Sequence, residues 1–168
     1  MVAVIPSNHS DPLHVVNYAI SKFKKGYSDR YGKIYKAHDF DEIYVVIDTD
    51  CHENLSEALS LIEKFNNEPG RTKIQKIISC PCFELWFLLH FIDLYPKEIT
   101  QKEVLDLLRK EIPNYDKSYD IYPQIRENLE VAEKRAKRMK DNIKFENDCY
   151  TDVYKLISEL KEYSEAKE

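Results

Sequence analysis

Six residues in the first third of the chain, Ile43 to Asp48 (IYVVID), set the terms for the fold. A nearly unbroken apolar run of that length is expected of a strand covered on both faces, as in a parallel sheet between helices. Its neighbours keep the same rhythm. Val2 to Pro6 is a short apolar run and a candidate strand. Asp11-Pro12 opens a helix, with Asp as the cap and Pro at the first helical position. Leu13, Val16, Ile20 and Phe23 form its buried stripe. A second helix begins near Asn54, where Glu57 completes a capping-box pattern. Pro69-Gly70 ends it, Ile74 to Ser79 is the next strand, and a strongly apolar helix covers Phe83 to Phe91. Strand and helix in alternation predict an α/β fold with a parallel sheet and right-handed crossovers. Ligands of such sheets sit outside the carboxyl ends of the strands. Here those ends are Pro6-Ser7, Asp48-Thr49-Asp50 and Ser79-Cys80-Pro81-Cys82.

The second half reads as helical. Thr100 and Glu103 form a capping box, Pro113 ends that helix, and Asn114 to Tyr122 is a tyrosine-rich loop. Pro123 to Lys140 and Thr151 to Tyr163 carry helical apolar spacing. We expect one domain over residues 1–168, with an α/β core in 1–95 and a helical part in 96–168. Three glycines in 168 residues leave no GxGxxG and no GxxxxGK[ST], and GxSxG and HExxH are also absent. Dinucleotide-binding dehydrogenases, P-loop NTPases, α/β-hydrolases and zincin proteases are therefore disfavoured. Lys+Arg 25 against Asp+Glu 30 gives a net charge of −5, which argues against a polybasic nucleic-acid sponge. The longest apolar run, Phe83 to Ile92, is interrupted by Glu84 and His90 and is too short for a bilayer. A cytoplasmic protein without a membrane span is expected.

Two segments carry chemistry. Asp48 and Asp50, two apart at a strand's end, can both face one cation, and hard oxygen ligands suit Mg²⁺ or Mn²⁺. Acids cluster around them: Asp39, Asp41, Glu42, Asp48, Asp50, Glu53 and Glu57 occur with no Lys or Arg between. The same pair also suits a solvated loop with Asp50 capping a turn. In Ser79 to Trp86 (SCPCFELW), Glu84 falls in or near the first turn of an apolar helix. A carboxylate there needs a partner or a metal, or reaches back to free amides at the helix start. His90 reads as a satisfied core histidine. Cys51, His52, Cys80 and Cys82 could gather Zn²⁺, although small buried hydrophobes account better for the cysteines.

The basic residues are clustered. Lys22, Lys24, Lys25, Arg30, Lys33 and Lys36 face a single acid, Asp29, and Arg126, Lys134, Arg135, Lys137, Arg138 and Lys140 form a second group. Tyrosines lie close to both. Lysines interleaved with aromatics suit phosphate backbones and exposed bases, and a solvated helix face suits the second group equally well. On this reading Lys22, Lys24, Lys25, Lys33, Arg135 and Arg138 are candidate nucleic-acid contacts.

IYVVID with Asp48-Thr49-Asp50, the block PCFELWFLLHF ending at Phe91, and YTDVYKLI ending at Ile157 resemble the RloB-like family over nearly the whole chain. The resemblance implies a Toprim-like three-layer sheet with helices on both faces. It also implies association with restriction–modification loci and abortive infection, and Mg²⁺-dependent nucleic-acid cleavage as the activity. The acidic pair of such a domain corresponds to Asp48 and Asp50, which would hold Mg²⁺ or Mn²⁺. Glu84 would be a further catalytic group and Ser79 a residue that orients them. Toprim-like proteins also carry a catalytic Glu after their first strand, and no residue here matches it. A truncated or non-catalytic member that binds nucleic acid or a defence partner protein is the alternative. Self-association through a sheet edge and the tyrosine-rich surface is a further expectation.

Overall fold

The structure is a computed structural model that describes residues 3–7, 11–29, 31–49, 54–70, 72–118 and 120–165. It is a mixed α/β fold, rich in helix, with two small sheets. Helix α1 spans Pro12–Lys25 and is followed by strands β1 (Tyr27–Ser28), β2 (Ile34–Tyr35) and β3 (Glu42–Asp48). Helix α2 (Leu55–Asn67), strand β4 (Lys73–Cys80) and helix α3 (Glu84–Leu88) come next. The rest comprises α4 (Gln101–Glu111), α5 (Tyr122–Ile125), a 3₁₀ turn at Arg126–Asn128, α6 (Leu129–Asp141), β5 (Tyr150–Thr151) and α7 (Val153–Glu165). β1 and β2 form one sheet, and the other has the order β3-β4-β5. The chain divides into two compact units, Met1–Ile47 with Cys51–Lys76, and Asp48–Asp50 with Ile77–Glu168.

In the first unit α1 packs on α2. Val16 and Phe23 of α1, Ala58, Ile62 and Phe65 of α2, Val45 and Ile47 of β3, and Ile74 of β4 make its core. The alternation along β3 explains why Val45 and Ile47 both point inward, since side chains two apart share a face. Val46, between them, is exposed. The strand is therefore covered on one face at this point, not on both as its apolar run predicts. Asp11 caps α1 by accepting the His14 N–H at 3.0 Å. Its other oxygen accepts from Asn54 Nδ2 at 2.9 Å. These bonds, the Asn54 bond first, hold the Asp11 carboxyl down at about 2. Asn54 makes no side-chain cap of its own helix, so the capping box expected with Glu57 does not form.

Gly26 ends α1 with a φ of 78°, and a Cβ there would stand 2.7 Å from the Tyr35 carbonyl oxygen. Only glycine lets the chain turn this tightly into the β1–β2 hairpin. The hairpin is antiparallel, with Tyr27 opposite Tyr35.

In the second unit α3 packs against α4, α6 and β5. Leu85, Trp86, Leu88 and Leu89 are buried there with Val104 and Leu108 of α4 and Ala132, Ala136 and Met139 of α6. The expected helix over Pro123 to Lys140 is broken into α5, the 3₁₀ turn and α6. Thr100 and Glu103 form the expected capping box with both reciprocal bonds present.

The sheet differs from the all-parallel array that the alternation predicts. Residues 3–7 form no strand. Val4 there is exposed, and Pro6 has no N–H to give a ladder. The strand beside β4 is instead β5, which pairs antiparallel with Ser79 opposite Thr151 and Cys80 opposite Tyr150.

Candidate functional site

The carboxyl end of β4 runs into a cis peptide bond at Cys80-Pro81, and Glu84 is the first residue of α3. The four buried apolar residues that follow it hold that turn of helix in the core, and Glu84 goes in with them at 4 % exposure. Its Oε1 lies 3.5 Å from Lys117 Nζ. Its Oε2 is buried and has no hydrogen-bond partner among the described residues. The carboxylate does not take the amide bonds that a structural cap would take. Leaving a carboxylate oxygen buried without a hydrogen-bond partner costs roughly 1–3 kcal/mol.

Three other groups define the surroundings of Glu84. The Cys82 thiol is fully buried and its pKa is pushed far up, first by burial, then by the Glu84 charge, a hydrogen bond to the Glu84 side chain and the Asp48 charge. Tyr115 packs its ring against Phe87 with centroids 6.2 Å apart. Burial and then the Glu84 charge push its hydroxyl up to about 12. Lys117, in the same loop, is 69 % exposed. Around neutral pH the thiol and the phenol are therefore both protonated.

Asp48 ends β3 and is half-buried. The Thr49 N–H just beyond it donates to the Ser79 carbonyl at 3.0 Å, so the carboxyl ends of β3 and β4 meet. Ser79 is fully buried, and its Oγ shares a hydrogen bond of 2.8 Å with Thr151 Oγ1. Ser79 thus ties the strand end that carries Asp48 to β5 through its backbone and its hydroxyl. The charges of Glu84 and Asp48 both raise the pKa of the Cys82 thiol. Asp50, the third expected acid, lies outside the described residues, as do Cys51, His52, Glu53, Arg30 and Tyr119. Among the described residues no three His, Cys, Asp or Glu side chains are arranged to hold a metal ion.

Lys117 and Tyr115 were not legible as neighbours of Glu84. They sit in an irregular loop after Pro113, where no periodicity tells which way a side chain returns. Their tyrosine-rich, proline-broken setting was the one available signal.

His90 is 1 % exposed. Its Nδ1 bonds the Trp86 carbonyl at 2.9 Å, so Nδ1 carries the proton and Nε2 is a bare acceptor without a partner among the described residues. Burial lowers its pKa. The core histidine expected here is only half satisfied.

The two basic groups differ in what they touch. Arg135 Nη1 donates to the Leu89 carbonyl at 2.8 Å. Arg138 pairs with Asp93 and lies over the Tyr95 ring at 5.6 Å. Lys140 stands 3.2 Å from the Tyr150 ring centroid and 3.6 Å from Asp152. These cations are tied into the second unit. In the first unit Lys22, Lys24 and Lys25 form the last turn of α1, where positive charge complements the helix dipole. Lys24 comes within 4.0 Å of Glu68. Lys22 and Lys33 lie against tyrosine rings.

A family model described as RloB-like protein matches residues 2–160 of the chain. No curated protein matches the chain. No solved structure matches it either. No helix among the described residues is long and apolar enough to cross a membrane.

Proposed function

From the premise that this chain belongs to the RloB-like family, whose model covers residues 2–160, we propose that it is a Mg²⁺- or Mn²⁺-dependent nucleic-acid phosphodiesterase of Toprim type, serving prokaryotic defence against phage alongside restriction–modification partners. The observation that carries this reading is the buried, unmatched Oε2 of Glu84 in the region where Asp48 also acts on Cys82. An acidic oxygen kept dry without a donor fits a site that a hard cation completes. Asp48 and Glu84 would hold that cation, with Asp50 two residues beyond Asp48 as a third oxygen donor. The bound ion would polarise a phosphate and lower the pKa of water.

The chain's own residues do the positioning. Ser79 accepts the Thr49 N–H and so fixes the strand end that bears Asp48. Burial of Leu85 and Trp86 fixes Glu84. Tyr115, whose hydroxyl stays protonated up to about 12, adds no competing charge. Lys117 presents an exposed ammonium beside Glu84 and meets the anionic substrate first.

The test is cleavage of labelled single- and double-stranded DNA and RNA in Mn²⁺. Wild type cleaves at least one of them, and Asp48→Asn and Glu84→Gln each lose about a hundredfold or more of that rate. Cleavage at wild-type rate by both variants overturns the assignment. One observation favours a second reading, a non-catalytic component that binds nucleic acid or a partner protein. Lys117 already gives Glu84 a cation, and the described residues gather no three-ligand set. Salt-dependent binding of nucleic acid with no cleavage in Mn²⁺ selects that reading.

A further inference from the structure

We infer that the first unit carries a platform for single-stranded nucleic acid, built from the last turn of α1 and the β1–β2 hairpin. The hairpin brings tyrosines together across its ladder. Tyr27 and Tyr35 are cross-strand partners, and their rings stack 6.1 Å apart at 23°. Tyr35 stacks in turn on Phe40 at 5.6 Å and 26°. Tyr35 is buried and anchors this row of rings in the unit. Lysines flank the row. Lys22 Nζ lies 4.8 Å from the Tyr18 centroid and 5.0 Å from that of Tyr27. Lys33 Nζ lies 5.0 Å from the Tyr35 centroid.

Two side chains of the hairpin face water at an apolar cost, Tyr31 in the turn at 79 % and Ile34 of β2 at 74 % exposure. The only acid between Tyr18 and Lys36 is Asp29. Its Oδ1 accepts the Tyr31 and Lys33 N–H groups at 2.9 Å each. Asp29 therefore shapes the turn that presents Tyr31.

The combination selects a ligand. Exposed ammoniums attract any polyanion. Tyr31 is the aromatic that this hairpin leaves exposed among the described residues, and such a face adds about 1–3 kcal/mol per stacked base only when the base is unpaired. A duplex keeps its base faces inside the helix, and an acidic peptide has none to offer, so neither uses the rings. The second basic group lacks this character, because its Arg135 and Arg138 are bound to Leu89 and Asp93. The inference rests on the nucleic-acid reading above for its class of ligand and narrows it to unpaired strands.

The test is fluorescence anisotropy in EDTA on the full chain, with labelled oligo-dT and oligo-rU of about twelve nucleotides and a duplex of the same length. Single strands bind at least about tenfold more tightly than the duplex, and the better of the two separates DNA from RNA. Tyr31→Ala weakens single-strand binding about tenfold and leaves the duplex unchanged. Lys22→Ala and Lys33→Ala each flatten the salt dependence by about 0.7 in log–log slope. Circular dichroism confirms that the variants fold. Equal affinity for duplex and single strand overturns the inference. So does wild-type binding by Tyr31→Ala, or competition by polyglutamate as effective as by the oligonucleotides. Single-strand binding without any cleavage in Mn²⁺ thus removes the phosphodiesterase reading alone, whereas cleavage without single-strand preference removes the platform alone.

Discussion

Glu103 and Glu84 each stand in the first turn of a helix in the second unit, and the fold treats them in opposite ways. Glu103 is exposed, and its Oε2 accepts from the Thr100 N–H at 2.8 Å and from the Thr100 hydroxyl at 2.7 Å. Those bonds, the backbone one first, hold its pKa below the ordinary glutamate value. Glu84 is buried, meets one exposed lysine on Oε1 and nothing on Oε2 among the described residues. A carboxylate at a helix start that was kept for the helix's sake would resemble Glu103. The contrast teaches that position in a helix does not fix a role, and that the state of the hydrogen-bonding account of each oxygen does.

The sharpest way to break this contrast is to remove the carboxylates. Glu84→Met replaces a buried carboxylate, paired with the exposed Lys117 through Oε1 alone, by an apolar side chain of similar length. Urea unfolding is expected to show a gain of about 1–3 kcal/mol. A loss of that size would make Glu84 a structural anchor like Glu103. His90 provides the next test, since its Nε2 is also buried and bare. Its folded-state pKa is lowered from 6.5 by burial, so the unfolded chain binds the proton more readily. Its contribution is fully present above pH 6.5 and is lost as pH falls below that value, by up to about 1.4 kcal/mol per pH unit. Unfolding measured across mildly acidic pH is expected to show this slope in wild type and not in His90→Gln. An equal slope in both would mean that another group titrates.

Thr100→Ala is expected to cost about 1 kcal/mol and to leave nucleic-acid cleavage unchanged. The Glu103 bonds also make a contribution that is complete above its ordinary pKa of 4.5 and fades as pH falls below it. Lys117→Ala is the smallest change. An exposed ammonium in a surface pair contributes under about 1 kcal/mol, so the melting temperature should hardly move. A larger loss would show that Glu84 depends on Lys117 for its place in the core.

The capping logic was the most legible part of the sequence. Asp11-Pro12 starts α1 and Thr100 with Glu103 starts α4, because a cap is written in residues three apart. Asn54 with Glu57 carried the same signature and failed. Asn54 spends its amide on Asp11, 43 positions away in sequence, and no local pattern reports a long-range competitor. β3 and β4 were legible from their apolar runs, β5 was not, because two residues leave no period to read. At the candidate site the block around Glu84 and the end of β3 were legible as chemistry-bearing segments. That Thr49 meets Ser79 follows from strands ending together. The arrival of Lys117 beside Glu84 depends on the path of an irregular loop, and the lack of a donor for Oε2 depends on everything that packs around it.

Isothermal titration of Mn²⁺ into wild type and Glu84→Gln tests the central claim most directly. Saturable binding by wild type, weakened about tenfold or more in Glu84→Gln, is the expected result. Identical titration curves for the two proteins, or no binding heat in either, would contradict it.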